Sequence, residues 1–97
     1  MKKHNFKIEL SDSFADDVKE AIQYYNEKQK DLGIRFYDNL KAKLKSLKKD
    51  AFLYQIKYDN FRCLKVAKFP YLIHYELNEK NNTVFVHAVI CTYKDVL

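Results

Sequence analysis

The chain has 97 residues, of which 47% are apolar and 15% are Phe or Tyr, and it carries a net charge of +5. That length predicts one domain spanning residues 1–97, and that much apolar content builds a core, which excludes a disordered or low-complexity chain. The basic balance favours an acidic partner, either nucleic acid or an acidic protein segment.

One Gly and one Pro leave little room for flexible linkers. Cys63 and Cys91 stand alone, with no CxxC pair or Cys/His ladder around them, so the spacing predicts free thiols rather than a metal site. The opening MKKHNFKIEL is too polar for a signal peptide, and no apolar run approaches the roughly 20 residues that span a bilayer. A reducing cytoplasm is the expected compartment.

Phe6, Ile8 and Leu10 alternate with Lys7 and Glu9, the signature of a short half-buried strand. Ser11 or Ser13 then offers an N-cap, with Asp16 and Asp17 placed for the first turn of a helix and its dipole. Phe14, Val18, Ala21, Ile22 and Tyr25 form one apolar stripe on a predicted helix from about 12 to 30. Gly33 is the lone glycine, and the sequence predicts it as the left-handed stop of that helix. A second helix is predicted from about 34 to 48, with Phe36, Leu40, Leu44 and Leu47 on its apolar side. So short a connection makes the two an antiparallel hairpin.

Charge divides between the helices. Residues 12–31 carry six acids against three lysines, a net of −3, and residues 34–50 carry six bases against two acids, a net of +4. Two solvated faces account for this; so does a basic ridge, KAKLKSLKKD, that meets an acidic partner.

The remainder predicts strands. Leu53 to Tyr58 is one, and Arg62 to Lys68 another, with Leu64 and Val66 on one face. Phe69-Pro70 ends that run, because Pro cannot donate to a ladder. Tyr71, Ile73, Tyr75 and Leu77 alternate with Leu72, His74 and Glu76. Asn78 to Asn82 has the composition of a turn, and Thr83 to Cys91 is nearly all apolar, the pattern of a strand covered on both faces. The predicted fold class is α+β: an N-terminal strand, then an antiparallel helix hairpin packed on a small twisted antiparallel β-sheet.

This order resembles the RelE/ParE superfamily of type II toxin–antitoxin toxins, and is closer to the ParE-like branch. The carriers are Ala21, Tyr24 and Tyr25 on the first helix, Leu32-Gly33 at the bend, and Arg35, Phe36 and Leu40 beyond it. Arg62 then opens a strand, FPY stands at 69–71 with Ile73 and Tyr75 after it, and Ala88-Val89 precedes a basic tail. The resemblance covers nearly the whole chain. It implies a toxin neutralised by a cognate antitoxin, whose acidic segment, disordered when free, folds on binding. It implies no cofactor and no metal.

Two activities go with this fold: inhibition of DNA gyrase by binding, and ribosome-dependent cleavage of mRNA. Metal-free RNA cleavage needs groups that move protons and groups that stabilise phosphate charge. Arg62, Lys65, Tyr93 and Lys94 would be the catalytic set on that reading. Leu72, Thr92 and Leu97 stand where the nuclease branch places basic or tyrosine residues, and Cys91, Lys94 and Val96 stand where many members carry His, Arg and Pro. The resemblance therefore points first to gyrase, with the ribosome and mRNA as the alternative target and a non-toxic homologue as a third reading.

Several candidate residues carry two readings each. Arg62 is either a phosphate or partner contact or a structural arginine. Lys65 and Lys68 either meet phosphate or guard a sheet edge. If Asn78 pairs with Thr83, His74 falls opposite His87, as an aromatic pair or as two ligands of an incomplete metal site. Cys91 is a candidate nucleophile, or else a small buried residue. Tyr24 and Tyr25 are expected to pack, with their hydroxyls at the rim.

Overall fold

The computed structural model describes residues 5–92. Along the chain run β1 (Lys7–Leu10), α1 (Asp12–Lys28), α2 (Leu32–Asp50), a short 3-10 turn (Ala51–Leu53), β2 (Ile56–Tyr58), β3 (Phe61–Lys65), β4 (Tyr71–Asn78) and β5 (Thr83–Cys91). The strands form one sheet in the order β1-β5-β4-β3-β2. The last four make the predicted antiparallel meander, and β1 joins β5 in parallel, Lys7 opposite Thr83 and Leu10 opposite Val86. No helix among the described residues is long and apolar enough to cross a membrane.

Ser11 is the N-cap of α1: its hydroxyl accepts from the Phe14 amide at 3.0 Å. The first-turn acid is Asp12, not Asp16 or Asp17. Asp17 is spent elsewhere, its carboxylate accepting the Val89 amide of β5 at 3.2 Å. The Ser11 hydroxyl also donates to the His87 carbonyl at 2.7 Å, and the Ser11 amide to the Val86 carbonyl at 3.0 Å. Where β1 stops, the start of α1 thus takes over as the partner of β5.

Gly33 does not stop a helix. α1 ends at Gln29 in extended backbone, Asp31 takes the left-handed conformation at φ 65°, and Gly33 lies inside the first turn of α2. Its reason is proximity. A Cβ there would sit 2.6 Å from both the Ile22 carbonyl oxygen and the Asn26 side-chain oxygen, and that same Asn26 oxygen accepts the Gly33 amide at 2.8 Å. The glycine lets the two helices touch at the bend. The left-handed positions fall instead to Asp31, Asp59, Lys68 and Asn82; Asp and Asn tolerate that region because their short side chains bond locally.

The hairpin covers one face of the sheet. Phe14, Val18, Ala21, Phe36, Leu40 and Leu47 meet Leu64, Val66, Tyr71, Ile73, Tyr75, Val84, Val86 and Val89, all buried. Tyr25, Phe36, Phe69 and Tyr71 form an aromatic cluster with ring centroids 4.9–6.0 Å apart. Tyr75, fully buried, places its hydroxyl on the Ala51 carbonyl at 2.5 Å, so its polar end is satisfied inside the core. β5 is covered on one face only, against the expectation of two: Phe85 and His87 are half-buried on the other side and Ile90 is exposed. β5 is central in the sheet, as expected, between β1 and β4, and its run reads as covered on both faces because Phe85 and Ile90 furnish the uncovered one.

Gly33→Ala is expected to cost stability despite the better helix propensity of Ala. Propensity returns about 1 kcal/mol, and overpacking against a backbone oxygen costs roughly 1–3 kcal/mol. The measurement is urea unfolding, with a lower midpoint at unchanged slope.

Candidate functional site

Two surfaces carry the chemistry that the sequence singled out: the uncovered face of the sheet, and the outer side of α2.

Arg62, the second residue of β3, lies opposite Tyr75, on the side that faces the helices. Its Nη1 donates to the Phe52 carbonyl at 3.0 Å and the Tyr54 carbonyl at 2.6 Å. The guanidinium therefore fastens the connection between α2 and β2, a structural post. Lys65 lies on the uncovered face opposite Leu72, and its Nζ reaches the Phe69 carbonyl at 3.3 Å. Lys68 is exposed in the β3–β4 turn at φ 69°. Tyr93 and Lys94 lie outside the described residues, as does Val96, so of the expected catalytic set only Arg62 and Lys65 can be placed. Those two project to opposite sides of β3.

The histidines do not oppose one another. Asn78 does pair with Thr83, but the register shifts between His74 and Tyr75, so that Tyr75 faces Val86 and His74 faces Ala88. His87 is the extra residue of a β-bulge, and a bulge re-aims a side chain. Its Nε2 lies 2.9 Å from the Glu76 carboxylate, and its ring meets Phe61 and Phe85 edge-on at 4.7 and 4.5 Å. His74 instead has Nδ1 at 2.9 Å from the Tyr58 hydroxyl and 3.5 Å from the Cys63 sulfur. Burial pushes the His74 pKa down and the Cys63 pKa up, with the nearby Lys57 cation acting against the latter shift.

Cys91 is half-buried and lines a cleft of about 340 Å³ between α1 and β5, with Asp17, Glu20, Tyr24 and Tyr71. Tyr25 packs inward, as expected, while Tyr24 is 49% exposed beneath the Lys28 ammonium. Burial raises the Asp17 pKa; its Val89 hydrogen bond opposes this, and Glu20 and Asp16 add to it.

On the outer side of α2 lies a shallow groove of about 500 Å³. Ile8 of β1, Ala42 and Leu44 form its apolar floor, and Lys41, Lys45 and Lys48 its rim, with Asp38 at one end. Ile34 and Tyr37 extend the apolar exposure along the helix, and Lys41 lies over the Tyr37 ring at 4.8 Å. The basic ridge is therefore the border of an amphipathic trough. The excess of lysine in this helix signalled the rim. The contribution of Ile8 had no signal, because it depends on β1 lying beside α2.

A family model described as the ParE toxin of type II toxin–antitoxin system, parDE, matches residues 8–95. The chain belongs to the ParE toxin family. No curated protein matches it. Among solved structures, a chain of the "Chromosomal ParDE TA system from P. aeruginosa" superposes with a TM-score of 0.79 at 11% identity, over 91% of this chain and 97% of that one. At that identity the likeness speaks for the fold: two helices on a five-stranded sheet with a strand first. Membership of a toxin–antitoxin family implies an antitoxin partner for this ParE chain. An amphipathic, lysine-rimmed trough is a surface that an acidic helix could line, with its apolar side on Ile8 and Leu44.

Asp17 generates a prediction. Its folded pKa is raised, so the folded state holds the proton more tightly than the unfolded chain, and the charged form opposes folding above that pKa. Asp17→Asn keeps an acceptor for the Val89 amide and removes the charge. It is expected to stabilise the protein at neutral pH, with the gain fading as pH falls through the raised value towards the ordinary Asp range. Thermal melts of the two proteins from pH 7 to pH 3 measure this.

Proposed function

We propose that this ParE-family chain acts by binding and inhibiting DNA gyrase, and that its antitoxin silences it by laying an acidic segment into the trough on α2. The observation that supports binding over nuclease chemistry is the position of Arg62. RNA cleavage at the sheet needs cations free to meet a developing phosphate charge. Arg62 is spent on two backbone carbonyls on the helix side, and the Lys65 ammonium rests on a third carbonyl.

The trough supports the antitoxin reading through its pattern as well as its charge. Apolar residues line the floor and three lysines the rim. An acidic, flexible partner meeting a preformed basic surface gains long-range attraction and binds as it folds.

Purified protein is expected to inhibit gyrase supercoiling of plasmid DNA, and the cognate antitoxin to restore it. Unimpaired supercoiling at concentrations that arrest growth, together with cleaved transcripts in primer extension, would replace this reading with the ribosome-dependent one. The double change Lys45→Glu and Lys48→Glu is expected to weaken antitoxin binding at least tenfold, about 1.4 kcal/mol, with a shallower salt dependence. Binding by titration calorimetry at two ionic strengths measures both effects.

A further inference from the structure

We propose that two copies of this chain associate face to face through the outer side of the helix hairpin, with α1 of each lying on α2 of the other. The outer side of α1 is acidic. Asp12, Asp16 and Glu20 are exposed there, spaced so that they share one stripe. The outer side of α2 is basic in the same rhythm, with Lys41, Lys45 and Lys49 exposed. None of these residues is in an ion pair; the one ion pair among the described residues joins His87 to Glu76. The hairpin thus displays an acidic and a basic stripe side by side, with their charge unspent.

The hairpin geometry fixes which charges can meet. Gly33 rests against Ile22 and Asn26, so residue 33 of α2 is level with about residue 24 of α1. The two helices run in opposite directions with the same rise of ~1.5 Å per residue. Counting away from the bend sets Asp16 level with Lys41, Asp12 with Lys45, and Lys19 with Asp38. Each of these levels holds one acid and one base, even where the signs are exchanged at Lys19 and Asp38. Glu20 is level with Tyr37, whose ring carries the Lys41 ammonium at 4.8 Å. A two-fold axis along the outer side of the hairpin, parallel to the helices, keeps every residue at its level and exchanges α1 with α2. Every acid then faces a base of the second copy, and symmetry makes each contact twice. A two-fold axis across the helices would instead set α1 on α1, acid on acid.

The chain carries +5 overall, so two copies repel at a distance, and complementarity at this face has to reverse the sign. Helices of 17 and 19 residues, each about 25 Å long and about 10 Å wide, offer roughly 500 Å² on each copy. That is close to the lower bound for a specific interface, and exposed ion pairs add little individually. The dimer is accordingly weak and exchanges readily. Ile34 and Tyr37, both exposed on α2, add apolar contact near the bend. The pairing stands apart from the gyrase and antitoxin reading. It draws on Lys41 and Lys45, which also rim the trough, so a partner seated there and a second copy exclude one another.

Sedimentation equilibrium of the full chain is expected to show a monomer–dimer equilibrium between micromolar and millimolar concentration. One variant carries Asp12→Lys and Asp16→Lys, and a second carries Lys41→Glu and Lys45→Glu. Each should self-associate at least tenfold more weakly than the parent, with helical circular dichroism and a cooperative melt retained. An equimolar mixture of the two should recover the dimer, because the reversed α1 of one meets the reversed α2 of the other. Both variants keep a positive net charge, so bulk attraction does not imitate that recovery. A parent chain that stays monomeric throughout the range, a variant that self-associates as the parent does, or a mixture that stays monomeric would each overturn the proposal.

Discussion

The close approach of the two helices at Gly33 is the constraint on which the rest of the molecule depends. With no side chain at that position, the first turn of α2 rests against the Ile22 carbonyl and the Asn26 side chain. The hairpin then closes tightly enough for Tyr25 and Phe36 to share one aromatic cluster with Phe69 and Tyr71 of the sheet. A wider hairpin would spread the apolar stripes of α1 and α2 beyond the width of the strands they cover, and close-packed interiors do not tolerate such gaps. The glycine acts through space and not through backbone freedom.

The second organising feature is the bulge in β5. β1 ends opposite Val86, so the His87 carbonyl and the Val89 amide of β5 lie beyond it, and Ser11 and Asp17 at the start of α1 supply their partners. Buried backbone groups must be paired, and the start of α1 pairs those that a longer β1 would have met. The same bulge turns His87 towards Glu76 and leaves His74 to Tyr58 and Cys63. A single irregularity thereby separates the two histidines on the uncovered face.

The proposed function rests on how the cations are distributed. Arg62, which the sequence left as either a phosphate contact or a structural arginine, holds the segment after α2. The lysines of α2 are instead displayed around an apolar floor. On the reading proposed above, an Arg62 turned inwards and lysines ranged along a trough suit a protein that is held by an acidic chain.

Local pattern was legible because it repeats along the chain. Apolar spacing of three and four placed both helices and their buried stripes, and alternation placed Tyr71, Ile73 and Tyr75 on the core face. Together with the Arg62, Phe69-Pro70-Tyr71 and Leu32-Gly33 landmarks, this was sufficient for the fold and the family. What tertiary structure alone decided were relations between distant residues. The parallel pairing of β1 with β5, the approach that requires Gly33, the inward turn of Arg62 and the register slip that separates His74 from His87 leave no periodic trace. Each is settled by backbone pairing and steric contact between segments far apart in sequence, and no window along the chain contains both sides of such a contact.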